Sequence, residues 1–470
     1  MKKIKEAEYR PFGAKDKLGY LFGDFGNDFT FLLSSGFLLK FYTDVMGVPA
    51  AVVGVIMMIA RFVDAFTDVA MGRICDRGRI TSAGKFKPWI RRMCGFVAAS
   101  SFLIYQSGLA GMPLYFKIGW LFVTYILWGS IFYTSINIPY GSMASAISIE
   151  PEDRQSLSTF RSIGGTLAGL IVGVGVPMFA YRVNELGNTV LDGRRFTIIA
   201  GVFSVLAVIC YLLCYYLTME RVAPEENVQK KNTNSVFAML KNAAKNRALI
   251  SIIAASIVML MAQLTMQSMA NYVYPNFYGN TSAQSASTVV MVIAMFIAAA
   301  VAKPAARRFG KAEISVLSNL LAAVVCILLF FLRPENVWTY VAFISVCWLG
   351  LGVFSMVNWA LITDVIDYSE LKSGVREDGS VYALYSFARK LGQAASAGLS
   401  GVLLSWIGYT EETAFEANVT LGIYNISTLI PSLGFLLLAL ILWFWYPLKK
   451  HVVEANVAAL KEKHEESPES

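Results

Sequence analysis

Asp64 and Asp68 stand four residues apart in an apolar stretch, and Asp24 and Asp28 repeat that spacing nearer the N-terminus. On a helix each pair shares one face. Four carboxylates on two neighbouring helices repel one another unless positive charge lies among them. Arg61, Arg161, Arg389 and Lys390 can supply part of it by pairing, which accounts for one or two of the acids but not for all four. A bound cation can supply the rest. Carboxylate and hydroxyl oxygens suit hard cations, and Thr67 lies between the acids of the second pair. The chemistry open to these residues is binding of Na+, Li+ or H+. Histidine contributes nothing to it, because His451 and His464 both lie in the polar C-terminal stretch, away from the apolar body. The cysteines Cys75, Cys94, Cys210, Cys214, Cys326 and Cys347 sit mostly in apolar runs and read as core filler. No nucleophile, phosphate-binding loop or metal cluster marks an enzyme, and no cofactor is expected.

The elements that must position these acids follow from composition. Of 470 residues, 56% are apolar and only 15% charged, against about 25% charged in soluble domains. Apolar runs of 20 or more residues recur, each long enough for a transmembrane helix. Twelve helices are predicted, near 19–43, 50–72, 90–110, 115–145, 158–181, 196–218, 247–275, 284–304, 313–332, 337–363, 380–408 and 420–446. A charge at the bilayer centre costs at least about 2.5 kcal/mol, so those retained inside spans need a partner or a task. Thirty of the 40 basic residues fall in the two tails and alternate loops, while Lys117, Arg182, Arg194, Arg195 and Arg333 fall in the opposite loops. That asymmetry places both termini and the central loop in the cytoplasm. The net charge of +8 is therefore an orientation signal rather than a sign of nucleic-acid binding. Met1 to Lys17 is basic and lacks an apolar segment, so no cleavable signal peptide is expected.

The spans divide into bundles at 1–218 and 247–446, joined by a cytoplasmic linker at 219–246 and followed by a tail at 447–470. The halves echo each other, as secondary transporters do. Gly72 to Arg77 and Lys303 to Lys311 read as short basic turns at matching places, and Asp76, Arg77, Arg307 and Arg308 are candidates for charge pairs that close the cytoplasmic side. Phe160-Arg161-Ser162-Ile163-Gly164 is matched by Phe387-Ala388-Arg389-Lys390-Leu391-Gly392, and Gly165, Gly169 and Gly173 form a packing stripe. Tyr42, Trp128, Tyr133, Asn137, Tyr140, Asn358, Trp359, Tyr382 and Tyr385 lie within the predicted spans. Aromatic faces and amides among cations suit a sugar, with its apolar ring faces and many hydroxyls.

These stretches resemble the glycoside-pentoside-hexuronide:cation symporter family of the major facilitator superfamily. The matching segments are Lys17 to Tyr20, Gly23 to Phe29, Phe41 to Asp44, Ala60 to Asp68, Gly84 to Trp89, Tyr125 to Gly129, Asn137 to Ser142, Asp364 to Tyr368, and Tyr385 to Phe387 with Arg389 to Gly392. The resemblance implies an all-α integral membrane protein of twelve helices in two pseudo-symmetric six-helix bundles, working by alternating access at a midplane site. It implies a cation site at Asp64 and Asp68, with Thr67 in place of the Asn found in the melibiose-transporting members. Thr134 corresponds to a further cation ligand, although one extra residue separates Gly129 from Asn137. For the sugar it implies Asp28, Arg161, Ser386 and Lys390, with Arg389 and Tyr385 beside them. Three departures bear on the substrate: Asn137 replaces a sugar-binding Asp, Gly141 a stacking Trp, and Asn27 a Lys. A glycoside or hexuronide is expected rather than melibiose, and a carboxylate on it would suit Arg161 with Arg389 or Lys390. The expected protein is a monomer in a bacterial inner membrane, its partners a sugar, a monovalent cation and the bilayer. The rival is a lipid or amphiphile carrier on the same scaffold.

Overall fold

The computed structural model describes residues 10–78, 80–81, 83–221, 246–373 and 378–465. Most of the central linker, Arg376 and the side chains of Asp76, Tyr382 and His464 lie outside the described residues. Twelve long helices are described, in the order the apolar runs predict. In the first half they are α1 (Ala14–Asp44), α2 (Ala50–Arg77), α3 (Lys87–Ile104), α4 (Leu114–Ile147), α5 (Pro151–Phe179) and α6 (Gly193–Leu217). In the second they are α7 (Arg247–Phe277), α8 (Thr281–Phe309), α9 (Lys311–Leu332), α10 (Val337–Ser373), α11 (Asp378–Trp406) and α12 (Ala417–Trp445). Nine of them are long and apolar enough to cross a bilayer by length and composition. The other three are α1 and α11, which carry charges mid-helix, and α3, which opens with Lys87, Arg91 and Arg92.

Helix ends follow local chemistry. Asp192 caps α6 by accepting from the Arg195 amide at 3.0 Å, and Asn246 caps α7 by accepting from the Ala248 and Leu249 amides. Pro151 opens α5, where a missing N–H costs nothing. Two segments read as basic turns are helical instead. Gly72 to Arg77 completes α2, and Lys303 to Phe309 completes α8, which breaks only at Gly310 with φ 103°. Charged side chains at a helix end stay solvated while the backbone continues its hydrogen bonds, so charge alone did not mark the boundary. Two small elements carry no apolar signal: a hairpin pairing β1 (Tyr181–Val183) with β2 (Thr189–Leu191), and a terminal helix α13 (Lys450–Glu465).

The chain divides into two compact units, Met1–Lys230 and Lys231–Ser470. In the first, α1 packs on α5 and α6, α3 on α4 and α6, and α2 on α4. In the second, α7 packs on α11 and α12, α9 on α10 and α12, and α8 on α10. Shifted by six helices, the two sets coincide, so the repeat seen in the sequence is a repeat of packing. Each unit also ties its third and sixth helices with a carboxylate. Glu220, beyond α6, accepts from the amides of Lys85, Phe86 and Lys87 at 2.7, 2.9 and 2.7 Å, satisfying donors at the α3 N-terminus. Glu313 of α9 accepts from the Lys450 amide beyond α12 at 2.9 Å.

Candidate cation and substrate sites

The two acids of α2 face α4. Asp64 is buried; its Oδ1 accepts from the Ser130 hydroxyl at 2.5 Å, and its Oδ2 lies 3.3 Å from Arg61 Nη1. Asp68, one turn on, accepts from the Thr134 hydroxyl at 2.8 Å. That same hydroxyl lies 3.1 Å from the Gly129 carbonyl, so its single proton has two acceptors to choose between. The oxygens of Asp64, Asp68, Ser130 and Thr134 are hard donors of the kind a monovalent cation takes. Among the described residues no three His, Cys, Asp or Glu side chains gather into a metal cluster, which leaves the carboxylate and hydroxyl oxygens as the donor set.

Thr134 reaches Asp68 because α4 changes pitch. Residues Leu127–Tyr133 form a π-helical segment, which holds one more residue per turn than the α-helix and is a common device at functional sites. Ser130 and Thr134, at and just after this segment, both meet α2. Ser130 was missed from the sequence. Thr67 behaves differently, since its hydroxyl donates to the Asp64 carbonyl of its own helix at 3.2 Å.

A second cluster joins α1, α4 and α5. Arg161 Nε donates to Asp24 Oδ1 at 3.0 Å, and its guanidinium lies 5.2 Å from the centre of the Tyr140 ring. Tyr140 is itself fixed: its ring stacks on Tyr20 at 4.6 Å, and each hydroxyl donates to the other's carbonyl. Gly164 and Gly165 of α5 allow this approach. A Cβ on Gly164 would stand 2.7 Å from the Leu21 carbonyl oxygen, and one on Gly165 would stand 2.8 Å from Asp28 Oδ2 and 3.0 Å from Asp24 Oδ2. Both carboxylates therefore converge on Gly165. Asp28 makes no hydrogen bond or ion pair with a described residue. Asn27 does not join this cluster: it is buried on another face of α1, accepting from the Tyr211 hydroxyl at 3.0 Å. Asn137 is half-buried on α4.

The second unit contributes its own group. Tyr385 is buried on α11, where its hydroxyl accepts from Asn358 Nδ2 at 2.6 Å and its ring meets Trp359 edge-on at 5.0 Å. The Arg389 guanidinium lies 6.0 Å from the Tyr385 ring centre, within reach of a cation–π contact. Ser386 is exposed and Lys390 half-buried on the same helix. Arg77, Arg307 and Arg308 are exposed and form no ion pair with a described residue. One charge contact that ties helices of the second unit is Lys311 with Asp364, at 2.6 Å.

The family model described as MFS/sugar transport protein matches residues 19–450. Among curated relatives, an uncharacterized symporter, YjmB, of Bacillus subtilis (strain 168) is 31% identical over 92% of both chains. The isoprimeverose transporter of Lactiplantibacillus pentosus is 30% identical, over 96% of this chain and 91% of its own. A solved D-xylose-proton symporter superposes with a TM-score of 0.60 at 15% identity, covering 92% of this chain and 97% of its own.

Proposed function

The chain belongs to the MFS/sugar transport protein family, and from that membership we propose that it imports a sugar across a bacterial inner membrane by cation-coupled symport. The substrate is a glycoside, pentoside or hexuronide, and the coupling ion is Na+, Li+ or H+. The observation that carries the coupling is the α2–α4 site, where Asp64 and Asp68 are each met by a hydroxyl of α4.

The physical course follows from charge. With no cation between them, two carboxylates one turn apart repel each other, and Arg61 lies beside Asp64 at 3.3 Å. A cation held by both acids and by Ser130 and Thr134 removes that repulsion and fastens α2 to α4. Helix α4 also carries Tyr140, against which Arg161 is packed, so ordering α4 orders the sugar contact. Affinities for cation and sugar then rise together, each raising the other by the same factor. Alternating access with these linked affinities moves the sugar only in company with the ion.

The test is uptake by right-side-out membrane vesicles across a panel of glycosides, pentosides and hexuronides, each under an imposed Na+, Li+ or H+ gradient. One ion gradient is expected to drive accumulation of one class of sugar above equilibrium. Sugar entry that no gradient accelerates would refute the coupling, and the absence of sugar entry would refute the substrate class.

A further inference from the structure

We propose that Asp24 is a positioning residue that sets specificity: by holding and neutralising Arg161, it makes this contact one for a neutral sugar and against a sugar bearing a carboxylate. The proposal rests on the sugar-transport reading and narrows its substrate.

Taken alone, Arg161 inside a span looks like a receptor for a uronate. The structure changes its character. Its Nε edge is taken by Asp24 at 3.0 Å, and its face is held over Tyr140, which Tyr20 locks in turn. The guanidinium is gripped on two sides while 40% of the side chain stays exposed, so its outer edge is presented in a fixed direction. Its charge is already matched by Asp24. Asp28 then adds a second carboxylate that converges with the first on Gly165, so the group Asp24, Asp28 and Arg161 holds two acidic side chains and one basic one.

Hydrogen-bond inventory points the same way. A sugar hydroxyl both accepts and donates, so one hydroxyl can accept from Arg161 while its neighbour donates to Asp28, which has no hydrogen-bond or ion-pair partner among the described residues. A carboxylate only accepts. It could meet Arg161, but it would leave Asp28 without a donor and face two like charges across a short gap in a poorly screened setting. Like-charge juxtaposition of this kind is how sites reject wrong partners.

The experiment compares initial uptake of neutral methyl glycosides (glucoside, galactoside, xyloside) with that of the methyl glucuronide and galacturonide, in vesicles carrying the full chain. The wild-type chain is expected to favour the neutral member of its best matched pair by at least about tenfold in kcat/KM. Asp24→Asn keeps an acceptor for Arg161 but removes the charge. It should cut that ratio about tenfold, mainly through a lower KM for the uronide. Asp24→Glu should keep the neutral preference, which a purely structural role for Asp24 would not predict. A wild-type preference for the uronide overturns the proposal without any variant, as does an unchanged ratio in Asp24→Asn. Where Asp24→Asn fails to reach the membrane, the wild-type ratio together with Asp24→Glu decides. Uptake of none of the panel overturns the sugar reading and this proposal with it, whereas uptake with a uronide preference overturns this proposal alone.

Discussion

Ser130→Ala and Thr134→Val, singly and together, ask whether the α4 hydroxyls hold the cation or only hold the helices together. Each substitution removes one oxygen and little volume. Ser130 Oγ lies 2.5 Å from Asp64 and Thr134 Oγ1 2.8 Å from Asp68, and a hydrogen bond to a charged group is worth about 1.5–3 kcal/mol. When the ion binds, the hydroxyl oxygen turns from donor to ligand, and its loss is partly made good by water. The lower end of that range therefore applies, about 1.5 kcal/mol, or roughly tenfold in affinity. Each single variant should raise the half-saturating cation concentration for sugar uptake about tenfold and leave the sugar KM at saturating cation unchanged. Because both oxygens would touch one ion, the double variant should fall short of the product of the singles, with a coupling of at least about 0.5 kcal/mol. The assay is initial uptake against cation concentration at saturating sugar, paired with melting of the detergent-solubilised protein without the ion. A lowered melting temperature with unchanged cation dependence would refute the assignment, leaving the hydroxyls as ties between α2 and α4.

Asp68→Asn keeps a partner for Thr134 but removes one of the two cation charges, so gradient-driven accumulation should vanish while exchange of sugar across the membrane persists; accumulation at the wild-type level would count against the site. Gly165→Ala places a methyl 2.8 Å from Asp28 Oδ2, a crowding that costs about 1–3 kcal/mol. Sugar KM should rise about tenfold with the cation dependence intact, and an unchanged KM would show that the two carboxylates do not serve the sugar. Lys311→Ala leaves Asp364, only 6% exposed and with Oδ2 already lacking a partner, as an uncompensated buried charge. The loss should be about 3 kcal/mol of stability, the lower end of the range for breaking a buried pair, since the lysine is a third exposed. Asp364→Asn in the same chain should restore much of it, and a melting temperature indifferent to either change would refute the pairing.

What could be read from the chain, and what could not, divides along the kind of signal involved. Twelve helices and their repeat were legible because bilayer solvation demands long apolar runs, and a run of that length has few other uses. The spacing of Asp64 and Asp68 was equally legible, since a helix fixes which residues share a face. Thr67's hydrogen bond was not: its hydroxyl donates to the backbone carbonyl of Asp64 one turn back, a choice that spacing does not encode. Asn27 fails as a neighbour of Asp28 for a related reason, because adjacent helical residues point about 100° apart, and here one meets Tyr211 while the other meets Gly165. The π-helical turn of α4 left no mark in the apolar pattern, and it is there that Ser130 meets Asp64. Asp24 is the sharper case. Its charge was plain, but its partner lay 137 residues away, and the pairing reverses what Arg161 by itself suggests about the substrate. A charge inside a membrane states that it has a partner; only the packed neighbour, here across the glycines of α5, decides whether that partner is the cargo or the protein.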